Sequence, residues 1–179
     1  LQQVKNISEI HIVALKNEVK AFLLILVFFC TSKNPLIKAV NLENNQPEFE
    51  FLYEDEQYAN AKFGDVSNYI YEPNVAILKT GAFKLLSEKF NLIKLHPNTQ
   101  LYTSDKIIEN FPGKIYRIES HINNPKKEIL KIKANVLVKN YNQPIDIVKK
   151  KFKIVDGGDI TLIFTQSIDG FRILKTSRI

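Results

Sequence analysis

The chain has 179 residues, with 25 Lys+Arg against 19 Asp+Glu for a formal net charge of +6, and it is 45% hydrophobic and 25% charged. This apolar content excludes a disordered chain, and a single cysteine excludes a module stapled by internal disulfides. The length fits about one large domain or two small ones with a sizeable core, and Leu1 together with the absence of Met suggests the back portion of a longer protein.

Residues 10–15 form a β-branched run, read as a buried strand. Residues 16–29 follow as a helix packed on it, carrying the most apolar stretch of the chain, 21–30. Ten helical residues span about 15 Å, half of the roughly 30 Å hydrocarbon core, so this stretch does not cross a bilayer. Lys16 and Lys20 before it and Cys30 at its end have the order of a lipoprotein signal. Phe29, however, is too large to precede a cleavage site, and strand-like residues come first. The segment is therefore read as a buried helix or strand, Cys30 as an inert core thiol, and no membrane partner is expected.

Asn34-Pro35 breaks this element, 36–42 is a second strand, and 48–53 largely alternates at period two, as a strand with one wet face does. This β-α-β-β order describes a small split layer. Acidic Glu54-Asp55-Glu56 and Gly64-Asp65 place a domain boundary near 55–66. Pro73 in a first turn, with Glu72 supplying negative charge at the N-terminus, starts a helix over about 74–90 with Val75, Leu78, Ala82, Phe83, Leu86 and Phe90 at helical spacing. A short strand at 101–103, a brief helix capped by Ser104 or Asp105, and a strand over 114–122 follow. Pro125 opens a Lys-rich helix to about 131, 134–138 is a strand, and Pro144 starts a helix through 152. Finally 160–165 pairs with 171–176 across a turn at 168–170. The expected fold is two small α/β or α+β layers joined closely.

The charge is uneven. Residues 1–90 hold 9 Lys+Arg and 11 Asp+Glu, net −2, and 91–179 hold 16 and 8, net +8. Between 124 and 153 stand nine lysines against Glu128 and Asp146. Either a solvated Lys-rich surface or an anionic partner, nucleic acid before a membrane surface, accounts for this asymmetry. On the second reading Lys126, Lys127 and Lys131 lie on one helix, with 127 and 131 four apart on one side. Lys149, Lys150, Lys151 and Lys153 crowd the end of another helix, where they also favour its C-terminal dipole. Tyr116 and Tyr141 flank the region as possible stacking partners for unpaired bases.

No catalytic constellation is visible. Six glycines form no phosphate-binding loop, and Gly157-Gly158 makes either an anion nest or a connecting turn. His11, His96 and His121 are far apart without ligand-spaced partners, so no metal site is expected. A Cys/His pair would need Cys30 exposed. Asp105 reads as a cap and Glu119 as a strand-surface charge. The residues alone describe a binding or structural module.

The string YIYEPNVAILKTGAF at 69–83, with KLHPNTQLYTSD at 94–105, FPGKIYRIE at 111–119 and DGGDITLIFT at 156–165, resembles one bacterial group. These are class I S-adenosylmethionine-dependent methyltransferase-like proteins, in which a Rossmann-type methyltransferase domain precedes a small ferredoxin-like domain and a C-terminal THUMP-like domain. Residues 66–179 resemble the THUMP-like domain. IHIVALKNEVK at 10–20 carries a looser resemblance of 8–62 to the ferredoxin-like domain, with Leu1 to Ile7 like the tail of the methyltransferase domain. The fold class this implies is α+β, a small ferredoxin-like α/β layer followed by a THUMP-like α/β domain with a mixed sheet, divided as 1–65 and 66–179. The group's cofactor-binding glycine-rich turn and its acidic-proline motif would precede Leu1. The resemblance thus implies methyl transfer by a whole protein in the cytoplasm, with S-adenosylmethionine held outside this chain. It implies RNA and the methyltransferase domain of the same protein as partners. A homodimer built on the apolar 21–30 segment is the alternative use of the chain.

Overall fold

Lys16 and Asn17 both take positive φ, 50° and 65°, and this pair decides the first sheet. Two left-handed residues form the two-residue turn whose twist matches that of antiparallel strands. In the computed structural model of the protein, which describes residues 6–27, 33–43 and 45–179, the turn joins β1 (Ile7–Leu15) to β2 (Glu18–Leu26), with Leu15 opposite Glu18. The expected helix over 16–29 is thus a strand across its described part, and Phe28, Phe29 and Cys30 lie outside the described residues. A continuous apolar run has no period to separate strand from helix; pairing with β1 decides it. β3 (Leu36–Leu42) runs parallel to β1 and β4 (Phe49–Leu52) antiparallel to β3, giving the order β2-β1-β3-β4.

The chain passes repeatedly between two compact units. The first comprises Leu1–Ala61, Pro73–Asn91 and Glu109–Gly113; the second comprises Lys62–Glu72, Leu92–Ile108 and Lys114–Ile179. A single division at residue 65 would put 73–91 and 109–113 in the later part, yet they pack with the first sheet. Their apolar side chains explain why. Ile10, Ile12, Ile37, Ala39, Phe49 and Phe51 are buried on one sheet face. α2 (Val75–Thr80) packs over that sheet, and Phe90 bridges Phe49 and Phe111 at ring-centroid distances of 6.3 and 5.4 Å.

Amide side chains lock the start of α2 in the first unit. Asn74 is its N-cap, accepting from the Ile77 N–H at 3.1 Å, and Glu72 and Pro73, expected at the helix start, belong to the strand before it. Asn17 Oδ1 takes the Val75 N–H at 2.8 Å, and Gln46 Oε1 accepts from both Asn41 and Asn74. The single helix expected over 74–90 is two, because Gly81 at φ 77° ends α2 before α3 (Phe83–Lys89) begins. The remaining helix of this unit, α1 (Asp55–Tyr58), is one turn long.

The second unit is a mixed eight-stranded sheet, in the order β10-β11-β12-β9-β6-β8-β7-β5. Its strands are β5 (Lys62–Phe63), β6 (Tyr69–Pro73), β7 (Ile93–His96), β8 (Thr99–Ser104), β9 (Gly113–His121), β10 (Asn135–Lys139), β11 (Ile160–Ser167) and β12 (Gly170–Arg178). β10 pairs parallel with β11 and β5 with β7, so the expected α+β class with a mixed sheet holds. The sheet curls. Asn140 donates to Thr99 Oγ1 and Gln166 Oε1, while the Thr99 hydroxyl donates to the Gln166 carbonyl, tying the end of β10 to β8 and β11. Ile70, Leu95, Leu101, Tyr116, Ile163 and Leu174 fill the interior.

No helix follows Ser104. Instead Tyr71 holds the connecting loop, its hydroxyl donating to the Lys106 carbonyl and accepting from the Ile108 N–H, both at 2.9 Å. Asp65 grips Arg172 through two nitrogens, at 2.9 and 2.6 Å. Burial pushes the Asp65 carboxyl up, but the hydrogen bonds from Arg172, Ser167 and the Val66 backbone, together with the guanidinium charge, outweigh it and hold it below the usual range. Among the described residues no helix is long and apolar enough to cross a membrane.

Lys94 is 2% exposed, and its ammonium donates to the carbonyls of His96, Pro97 and Thr99 at 2.7 to 2.8 Å, closing the β7–β8 turn around one charge. Lys94→Met keeps the stem and removes the donors. It should destabilise the chain by about 3 kcal/mol, measured as a lowered urea midpoint, since buried carbonyls left without donors cost about 1–3 kcal/mol; an unchanged midpoint would contradict this role.

Candidate functional site

The lysine-rich region rests on two short helices that share one core. α4 (Pro125–Glu128) is a single turn and α5 (Ile145–Phe152) two turns. Ile129 after α4 packs with Val148 and Phe152 of α5 and with Leu162 and Phe164 of β11. Lys131 is not helical: it has φ 60°, so the four-residue spacing from Lys127 places nothing on a common helix face. Tertiary pairing takes over that role. The Lys131 N–H donates to the Phe152 carbonyl at 2.9 Å, the Val155 N–H to Ile132 at 3.0 Å, and the Ala134 N–H to Val155 at 2.9 Å. Lys153, left-handed at φ 52°, caps α5 and turns the chain into this ladder.

Lys126, Lys127, Lys131, Lys150, Lys151 and Lys153 are all exposed on these neighbouring segments. Lys149 differs, since its ammonium lies 2.7 Å from Asp156 and part of its charge is already answered. Lys151 sits 5.4 Å from the Phe152 ring centroid and bonds Gln143. The expected stacking tyrosines are not available. Tyr116 is 4% exposed within the core, and Tyr141 is half-buried with Phe164 and Phe171 edge-on at 5.4 and 5.1 Å. Their period-two strand and loop settings gave no sign of this, because both rings are covered by strands distant in sequence.

A second group of charges was not legible from spacing. On β6, Glu72 is 8% exposed, and its carboxylate accepts from the Tyr116 hydroxyl at 3.2 Å. Lys114 of β9 lies 3.5 Å away and Lys139 of β10 3.3 Å. Burial, then the negative charge of Glu72, pushes the Tyr116 phenol far above its ordinary value, so it stays a neutral donor. The one local clue is the alternation in Tyr69-Ile70-Tyr71-Glu72, which puts Glu72 on the same strand face as buried Ile70. A cavity of about 510 Å³ opens beside this group, lined by Glu72, Lys114, Tyr116, Asp159 and Arg178 among others.

Among the described residues no three His, Cys, Asp or Glu side chains gather to hold a metal. The chain offers S-adenosylmethionine no glycine-rich strand-to-helix turn: Gly64, Gly81, Gly113, Gly157, Gly158 and Gly170 are dispersed, and Gly157-Gly158 leads from an isolated bridge at Val155 towards β11. The residues present do not fit that cofactor.

Residues 69–112, which run from β6 through α2, α3, β7 and β8, match a ferredoxin-like domain family. The chain is also similar to a solved crystal structure of a putative methyltransferase from Porphyromonas gingivalis W83, at 31% identity and a TM-score of 0.88. The likeness covers 99% of this chain and 47% of that one, so the chain spans about half of its relative's length. No curated protein matches.

Glu72 balances two ammonium groups and a phenol in a poorly hydrated place, so its loss should be felt as a whole. Glu72→Ala should cost about 3–5 kcal/mol of stability, as removing one partner of a buried ion pair does. Tyr116→Phe should cost less, about 1.5–3 kcal/mol, the worth of a hydrogen bond to a charged group. Urea unfolding followed by circular dichroism measures both, and equal effects of the two variants would contradict the ranking.

Proposed function

We propose that this chain is the accessory region of a methyltransferase and that it binds and positions an RNA substrate. The supporting observation is the lysine surface: six exposed lysines on α4, α5 and the ladder between them, on segments fixed by a common core. The likeness to a putative methyltransferase supplies the reaction class. On this reading the later part of the chain is THUMP-like, the protein works in the cytoplasm, and S-adenosylmethionine is bound by a methyltransferase domain of the same protein. The lysines then act as backbone clamps rather than base readers, since phosphate contacts position a nucleic acid without specifying its sequence.

If about five lysines contact phosphates of a single strand, the logarithm of affinity falls with the logarithm of salt at a slope near −3.5, about −0.7 per contact. Fluorescence anisotropy with single-stranded and hairpin RNA should show this slope. Lys150→Glu with Lys151→Glu and Lys153→Glu should abolish binding while leaving the circular dichroism spectrum unchanged. RNA affinity that is absent at low salt, or indifferent to the triple substitution, would sink the reading.

The second reading is a homodimer, favoured by β2. This strand is at the edge of its sheet, with Phe22, Leu23, Leu24, Ile25, Leu26 and Val27 all 40–58% exposed. An exposed apolar edge strand is a template for pairing with another strand. Light scattering should then give twice the chain mass, reverting to one on Leu23→Lys with Ile25→Lys; a monomeric parent chain rules it out.

A further inference from the structure

The cavity beside Glu72 uses none of the six lysines of the proposed RNA surface and none of β2. Its volume, about 510 Å³, falls in the range of roughly 300–1,000 Å³ typical of small-molecule sites. Three cations converge on it or on its carboxylate, Lys114, Lys139 and Arg178, against Glu72 and the exposed Asp159. The geometry of that excess matters more than its sign.

Arg178 stands directly opposite Tyr116 in the β12–β9 ladder, and Lys114 precedes Tyr116 by two residues, so all three side chains project from the same sheet face. Among the described residues the Arg178 guanidinium has no hydrogen bond or ion pair. The Lys114 side chain is 35% exposed, and among the described residues its ammonium reaches only Glu72, at 3.5 Å, and keeps donors to spare. Glu72 is in the opposite condition: buried, shared by two ammonium groups and a phenol, it is neutralised and holds Lys114 and Lys139 in place. The cavity therefore offers a planar five-donor fork and a point charge on one wall. The half-buried Leu137, whose side chain packs on the same core as Tyr116, lines it as well.

We propose that this cavity binds a small phosphate monoester, with the phosphoryl oxygens held by Arg178 and Lys114 and the organic remainder lying against Leu137. A guanidinium fork matches two phosphoryl oxygens at once, and the neighbouring ammonium supplies the third contact. A phosphate alone would leave most of the volume empty. A ligand without phosphate would leave the fork unused.

The test is calorimetric titration of the full chain with adenosine monophosphate, ribose monophosphate, adenosine and inorganic phosphate. At least one of the two monoesters should bind, inorganic phosphate should compete with it more weakly, and adenosine should not bind. Arg178→Gln should weaken the monoester about tenfold or more, as loss of a bidentate charged contact does, and Lys114→Gln should weaken it also. The triple substitution at Lys150, Lys151 and Lys153 should leave it unchanged, which separates this site from the RNA surface. Arg178 is exposed, so an unchanged urea midpoint of Arg178→Gln confirms that its fold is intact; Lys114→Gln removes one contact of Glu72, and there an unchanged circular dichroism spectrum serves the same purpose. Failure of both monoesters to bind at low millimolar concentration, binding indifferent to Arg178→Gln, or equal binding of adenosine overturns the proposal.

Discussion

A carboxylate taken out of water has to be answered from nearby, and Glu72 is answered from two other strands of its sheet. Tyr116 and Lys114 come from β9, beside it in the sheet, whereas Lys139 comes from β10, which lies four strands away in the order β10-β11-β12-β9-β6. The ion pair to Lys139 is possible only because the sheet curls, and the curl in turn gains a charged tie across its concave side. Asn140, one residue further on, makes the neighbouring uncharged tie through Thr99 and Gln166. The cavity, the inward aim of Tyr116 and the placing of Arg178 all follow from that closure. Low local dielectric makes such a group costly when incomplete, so its members act as a set.

Left-handed residues do comparable work at the ends of elements. Lys16-Asn17 turns an apolar run into a strand, Gly81 splits one helix into two, and Lys131 and Lys153 end their segments so that 131–134 and 152–155 can pair. Only Gly81 and the asparagines are residue types that visit this region routinely. A lysine there carries no signal in the sequence, and its cost is met by the pairing that it allows. This is why the helix expected over 125–131 stops after one turn while the lysines still become neighbours.

Much of the strand content was legible. The alternation in 48–53, the Pro144 start of α5 and the pairing of β11 with β12 across residues 168–169 follow from local chemistry. The lysine surface was legible as composition, but its architecture was not, because backbone hydrogen bonds between distant segments build it. The burial of Tyr116 and the answered charge of Lys149 were likewise hidden, since each depends on a partner supplied by another segment. Glu72 was misplaced for the same reason. Beside Pro73 it reads as a helix-start acid, whereas Asn74 takes the cap and frees Glu72 to face the sheet interior.

The sequence by itself determined the α+β class and the concentration of positive charge in the later half, because composition and short-range periodicity are enough for these. Only the tertiary structure decided that residues 73–91 pack with the first sheet, that 18–26 is a strand, and which cations are spent and which remain open. Those outcomes depend on where buried apolar faces and charges find partners far along the chain. No local pattern encodes that pairing.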